Sequence, residues 1–114
     1  MNWRSISFLP SLDGHVPQSA GLYAILRAER VQGLPVAWDI DYVGKSVNLR
    51  RRFREHAAPW RERSRTIRQG RIYREEGWEF WFKVVGAEDL DKGEQELIRR
   101  IKPRANVLLY GANT

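Results

Sequence analysis

The chain has 114 residues, with 20 Lys plus Arg against 14 Asp plus Glu for a net charge of +6, and no cysteine. That length is enough for one core, so a single domain over residues 1–114 is expected. The lack of cysteine excludes a disulfide framework and every thiolate metal site, zinc ribbons and fingers included. The charge excess is mostly arginine, which points to a polyanionic partner, while apolar runs only a few residues long exclude a membrane span or signal peptide and lead us to expect a soluble, cytoplasmic protein.

Residues 1–19 scatter apolar side chains among Pro10, Gly14 and Pro17 and read as an irregular lead-in, with Trp3, Ile6, Phe8 and Leu9 available to cover a core. Residues 21–26 and 38–43 read as two strands that pair back on each other, joined by a loop over 28–37 containing Gly33-Leu34-Pro35. Ser46 is the expected cap of the helix that follows. On it, Leu49, Phe53, His56 and Ala57 fall at i, i+4, i+7 and i+8 and define an inward face, with Arg52 beside Phe53 and Arg50, Arg51 and Arg54 on the solvated side. Residues 59–69 suggest a helix opened by Pro59 and stopped by Gly70, within the most basic stretch of the chain (Arg61, Arg63, Arg65, Arg68, Arg71, Arg74). Residues 78–85 alternate Trp78, Phe80, Phe82, Val84 against Glu79, Trp81, Lys83, Val85, the period of a strand with an aromatic inner side. Residues 89–101 place Leu90, Glu94, Leu97, Ile98 and Ile101 on one helical face, and Pro103 ends the helix. The expected fold is therefore α+β, a small three-stranded, mostly antiparallel sheet flanked by helices.

Glu94 is the first candidate for chemistry, because an ionised carboxylate facing a core costs several kcal/mol unless a cation or donors satisfy it. A hard cation such as Mg²⁺ would do so; a salt bridge to Arg52 or a wet helix edge would also do so. Arg52 and His56 lie one helical turn apart on a shared face, from which both can reach a phosphate. Tyr23 and Tyr42 fall near the ends of the paired strands, where a tyrosine ordinarily packs in the core with its hydroxyl at the rim. Asn106, after Pro103, suits a turn. The five tryptophans read as core residues, with Trp60 and Trp81 the best candidates for exposure.

Taken together, Gly21-Leu22-Tyr23, Tyr42-Val43-Gly44-Lys45, Arg52, His56, Glu94, Leu97-Ile98, Pro103 and Asn106 resemble the GIY-YIG nuclease family in order and spacing. The resemblance covers about residues 20 to 108, with Leu22 and Val43 as aliphatic replacements in the two signatures. It implies a metal-dependent endonuclease acting on DNA, single- or double-stranded, with RNA as a further possibility. Glu94 would hold one divalent cation, Mg²⁺ or Mn²⁺. The resemblance also implies Tyr42 as general base, Tyr23 as the group that places the attacking water, Arg52 as transition-state counter-charge, and His56 as the side chain that orients the phosphate or a tyrosine hydroxyl. Lys45 would bind phosphate or lower a tyrosine pKa, since a phenol otherwise titrates near 10. Asn106 would pin the active-site backbone or the glutamate.

Two departures stand out. The stretch between the tyrosine motifs is longer than the family's usual hairpin, so residues around 28–38 are expected to project as a substrate-contacting loop or a subunit contact, with a homo-oligomer possible. No appended DNA-reading domain is expected, which leaves sequence discrimination to the domain's own loops, an oligomer or a partner. Two other readings are a nucleic-acid-binding module without turnover and a structural interaction protein whose tyrosines and Glu94 only support the core.

Overall fold

The computed structural model describes residues 2–57, 77–103 and 106. Four strands, β1 (Arg4–Ser7), β2 (Gly21–Val31), β3 (Leu34–Ser46) and β4 (Trp78–Val84), form one antiparallel sheet in the order β1-β4-β2-β3. Helix α1 (Leu49–Ala57) packs on one face and α2 (Leu90–Ile101) on the other. The expected α+β architecture holds, with one strand more than the three anticipated. The addition is β1, in the segment read as irregular, where Ile6 pairs with Phe80 and Ser5 with Trp81. Four residues with only Ile6 turned partly inward leave too little alternation to signal a strand. Of the lead-in apolars, Phe8 is buried in the core, but Leu9 is exposed.

The period-2 geometry of β2 sorts its side chains between the helices. Tyr23 and Ile25 face α1 and join Phe8, Val16, Leu49, Phe53, Trp78, Phe80 and Phe82 in the main core. Phe80 is its centre, with Phe53 edge-on at 5.0 Å and Tyr23 stacked at 5.3 Å between ring centroids. Full burial of such a ring contributes roughly 1.5–3 kcal/mol by transfer alone. Leu22 and Ala24 face the other way, where Ala24 and Val43 pack with Ile98 of α2.

The stretch over residues 28–37 is not a loop. β2 and β3 continue pairing to Val31↔Leu34 across a two-residue turn in which Gln32 (φ 52°) and Gly33 (φ 84°) both sit at positive φ, as a type I′ hairpin turn demands. Irregularities in the pairing between Ile25 and Leu26 and between Glu29 and Arg30 bend the ribbon.

Helix α1 is capped by Asn48 rather than Ser46. The Asn48 side-chain oxygen accepts the Arg51 N–H at 3.1 Å, while the Ser46 hydroxyl closes a local turn on the Asn48 backbone. Arg50, expected in solvent, is half-buried and donates from Nε to the Val16 carbonyl at 2.7 Å, which ties the lead-in to α1. Helix α2 ends at Lys102, which adopts a left-handed conformation (φ 52°) and donates its N–H to Ile98. The expected helix over 59–69, with Trp60 and the arginine-rich stretch 61–74, lies outside the described residues. Among the described residues no helix is long and apolar enough to cross a membrane.

Candidate active site

The candidate residues gather around β3, the edge strand of the sheet, in two groups that alternation places on opposite faces. On the α1 face, Tyr23 pairs with Gly44 and Ile25 with Tyr42. The Tyr23 hydroxyl shares a buried 2.8 Å hydrogen bond with Nε2 of His56, and the Tyr42 ring lies 5.6 Å from the imidazole and 6.1 Å from the Tyr23 ring. Gly44 is required here by close approach, since a Cβ at that position would sit 2.4 Å from the Tyr23 hydroxyl oxygen.

On the α2 face, Lys45 pairs with Leu22 and its ammonium meets two carboxylates of α2. It donates to Asp91 and lies 3.5 Å from Glu94. The Asp91 hydrogen bond, with help from Glu94, raises the Lys45 pKa above its ordinary value. Burial pushes the Glu94 carboxyl above its usual range, and the Lys45 charge only partly offsets that push. Glu94 is thus a carboxylate whose ionised form is under-compensated, a condition that a divalent cation would relieve. Asp91, one turn earlier, offers a second oxygen. Among the described residues no cluster of three His, Asp or Glu is present, so an ion held here would keep most of its coordination for water and phosphate oxygens.

Asn106 bridges the two groups from the strand's open edge. Its Oδ1 accepts the Val43 N–H at 2.7 Å and its Nδ2 donates to the Val43 carbonyl at 2.9 Å, so one amide replaces a neighbouring strand between Tyr42 and Gly44. Arg52 is half-buried and pairs with Glu55 at 3.1 Å. Glu94 finds Lys45, not Arg52, as its cation.

The fold has counterparts among solved structures. The GIY-YIG N-terminal endonuclease domain of UvrC from Thermotoga maritima, bound to its catalytic divalent cation, magnesium, matches with a TM-score of 0.54 and 26% identity, over 85% of this chain and 93% of that one. A tyrosine-to-phenylalanine point mutant of the same domain, also bound to its catalytic divalent cation, matches with a TM-score of 0.52 and 27% identity, over 81% of this chain and 87% of that one. The chain has the fold of a GIY-YIG nuclease domain. No protein-family model and no curated relative matches the sequence.

Within this GIY-YIG domain the structure adds Asp91, which sequence reasoning passed over. The signal was present, since Asp91 precedes Glu94 by three residues and so shares its side of the helix. Among the described tryptophans, Trp78 is buried and Trp81 partly so, whereas Trp38 rather than Trp81 is the exposed one.

Proposed function

We propose that this chain is an endonuclease that uses a divalent metal ion to hydrolyse phosphodiester bonds in DNA, with Glu94 as its metal ligand. The observation that carries the reading is Glu94 itself, a half-buried carboxylate with a raised pKa that meets Lys45, whose pair with Leu22 adjoins the Tyr23–Gly44 pair on the β2–β3 ladder. The UvrC endonuclease domain similar in fold is bound to a catalytic divalent cation in both of the structures described above.

In this mechanism Tyr42 acts as the phenolate and accepts the proton of the attacking water, becoming the neutral phenol as the new P–O bond forms. Tyr23, fixed by His56, holds that water in line, and Gly44 leaves room for the Tyr23 ring. Arg52 leaves Glu55 for the phosphate and balances the charge that grows on its oxygens as the bond to the leaving oxygen breaks. Lys45, on the next pair of the ladder after Gly44, binds the adjoining phosphate. Asn106 keeps the Tyr42-Val43-Gly44 backbone in register. A bound Mg²⁺ or Mn²⁺ supplies Lewis-acid polarisation of the phosphate and stabilises the leaving oxygen.

The test is cleavage of single-stranded DNA, duplex DNA and RNA with Mg²⁺, with a chelator, and with Glu94→Gln. Metal-dependent cutting of DNA that Glu94→Gln abolishes while fold and nucleic-acid affinity persist is the expected result. Binding without cutting by the native protein would instead identify a nucleic-acid-binding module. Normal turnover by Glu94→Gln would remove Glu94 as ligand.

A further inference from the structure

Beyond Arg27 the β2–β3 hairpin leaves the sheet. Strand β4 pairs with β2 only from Gly21↔Val84 to Arg27↔Trp78, so residues 28–38 form a two-stranded arm. A bare two-stranded ribbon is marginal in water, yet this one is anchored. Arg30 grips Glu79 of β4 with two nitrogens and donates from a third to the Gly33 carbonyl in the turn, and the Ala28 N–H donates to Gly77. On this braced arm Val31 is 59% exposed, Leu34 65%, Val36 52% and Trp38 65%. They are four of the seven large apolar side chains exposed among the described residues, concentrated in eight positions. The register puts Val31 and Leu34 on one face of the ribbon and Trp38, opposite Ala28, on the other, so the arm carries exposed apolar side chains on both faces beside its free β3 edge. Such a concentration marks a contact surface.

Charge decides what the surface meets. Residues 27–41 hold two arginines and three carboxylates (Arg27 and Arg30 against Glu29, Asp39 and Asp41), a net of −1 in a chain of +6. Both arginines are committed, Arg27 to Asp39 and Asp41, Arg30 to Glu79. A polyanion gains nothing there. Two copies of a +6 chain, in contrast, repel through most of their surface and approach at least cost where charge cancels locally. β3 is also the sheet's edge, and an antiparallel edge is self-complementary about a two-fold axis. Asn106 occupies the edge at Val43, Pro35 lacks a donor near the turn, and two irregularities interrupt the ladder, devices that oppose open-ended strand addition and favour one closed contact.

We infer that the arm is a self-association surface, on which a second copy of this chain lays its own arm edge to edge along β3 across a two-fold axis and covers Trp38 on one face and Leu34 on the other. Trp38 stands seven residues from Lys45 along β3, about 23 Å at strand rise, so the contact leaves each candidate active site open.

The test is solution mass by light scattering and sedimentation over a dilution series. The native chain is expected at twice the protomer mass, with dissociation on dilution, and Trp38→Gln should weaken association about thirtyfold or more, as loss of a central tryptophan does. Its melting temperature and metal-dependent turnover per protomer should stay native, because the side chain is solvent-exposed and remote from the site. Since the chain has no cysteine, Ala37→Cys should give a disulfide-linked dimer on oxidation and Glu96→Cys on α2 should not. A native chain that stays at protomer mass throughout overturns the inference, as does a Trp38→Gln variant that dimerises normally. Loss of DNA affinity in Trp38→Gln at unchanged mass would reassign the arm to nucleic acid. The mass measurement is independent of whether the chain cuts DNA, so its outcome and that of the nuclease assay are separable.

Discussion

Tyr23 and Gly44 are cross-strand partners packed so closely that the phenol occupies the place of a side chain on the glycine. The Tyr23 ring can stack on Phe80 and reach His56 only because position 44 is bare. Gly44→Ala should therefore push the phenol off His56 and cost about 1–3 kcal/mol of stability, the usual range for overpacking. Urea denaturation measures the cost. In Tyr23→Ala, which vacates the space, the additional Gly44→Ala change should be much cheaper, and a cycle with no coupling would show that the two residues do not compete for space.

Asn106 makes a second prediction through Val43. Removing its amide leaves one buried N–H and one buried C=O at the strand edge, and each such group costs about 1–3 kcal/mol when left unsatisfied. Asn106→Ala should destabilise the fold by that order and speed hydrogen exchange at the Val43 amide. Asn106→Asp keeps the acceptor but turns a carboxylate oxygen on the Val43 carbonyl, so it should fail to rescue. Native exchange at Val43 in Asn106→Ala would mean that another donor and acceptor cover the edge.

The inward faces of both helices were legible because a 3.6-residue period survives in any context: Leu49, Phe53, His56 and Ala57 are buried as spaced, and so are Leu90 and Ile98, whereas Ile101, expected on the same face, is exposed at the end of α2. The aromatic alternation of β4 was equally readable, since Trp78, Phe80 and Phe82 all face α1. The arm was not, because Gln32 ahead of Gly33 is an uncommon start for a turn that favours Asn-Gly, and Pro35 reads as a breaker. Glu94's position was legible and its partner was not. Lys45 is on the α2 face because β3 register pairs it with Leu22, whereas Arg52 sits on α1 across the sheet, and register is a property of two strands together.

The anchor of the arm carries a pH signature. The Arg30 hydrogen bonds, helped by the Trp81 indole, hold the Glu79 carboxyl below its ordinary 4.5. A depressed folded-state pKa gives stability that is fully present above the unfolded value and is lost as pH falls through the folded one. The native melting temperature should thus drop below about pH 4.5 more steeply than that of Arg30→Met, which starts lower at neutral pH and lacks this dependence. Parallel acid limbs in the two proteins would show that Arg30 does not set the Glu79 pKa.

Arg52 and Arg51 are neighbours with different tasks under the proposed mechanism. Arg52 is half-buried on the side of α1 that meets the sheet and pairs with Glu55, whereas Arg51 is exposed. Arg52→Ala should slow single-turnover cleavage about 10²–10³-fold, the scale for losing one transition-state charge contact, and Arg51→Ala should change it little. Arg51 is the sound control because Arg50 holds the Val16 carbonyl and its loss would disturb the lead-in. Equal rates in the two variants would deny Arg52 its role.

Under the proposed function Lys45 links the ionic group to metal binding. Burial raises the Glu94 pKa and Lys45 lowers it, so removing the ammonium in Lys45→Met should raise it further. A proton and a divalent cation compete for the same carboxylate, and metal is lost as pH falls through that pKa. Calorimetric titration with Mn²⁺ should therefore show the acid limb of binding shifted to higher pH in Lys45→Met. On the alkaline plateau, where the carboxylate is fully ionised in both proteins, the variant should bind the cation more tightly, since a competing positive charge is gone. An acid limb at the same pH in both proteins would show that the binding carboxylate is not the one facing Lys45, and the ligand would have to be sought away from Glu94.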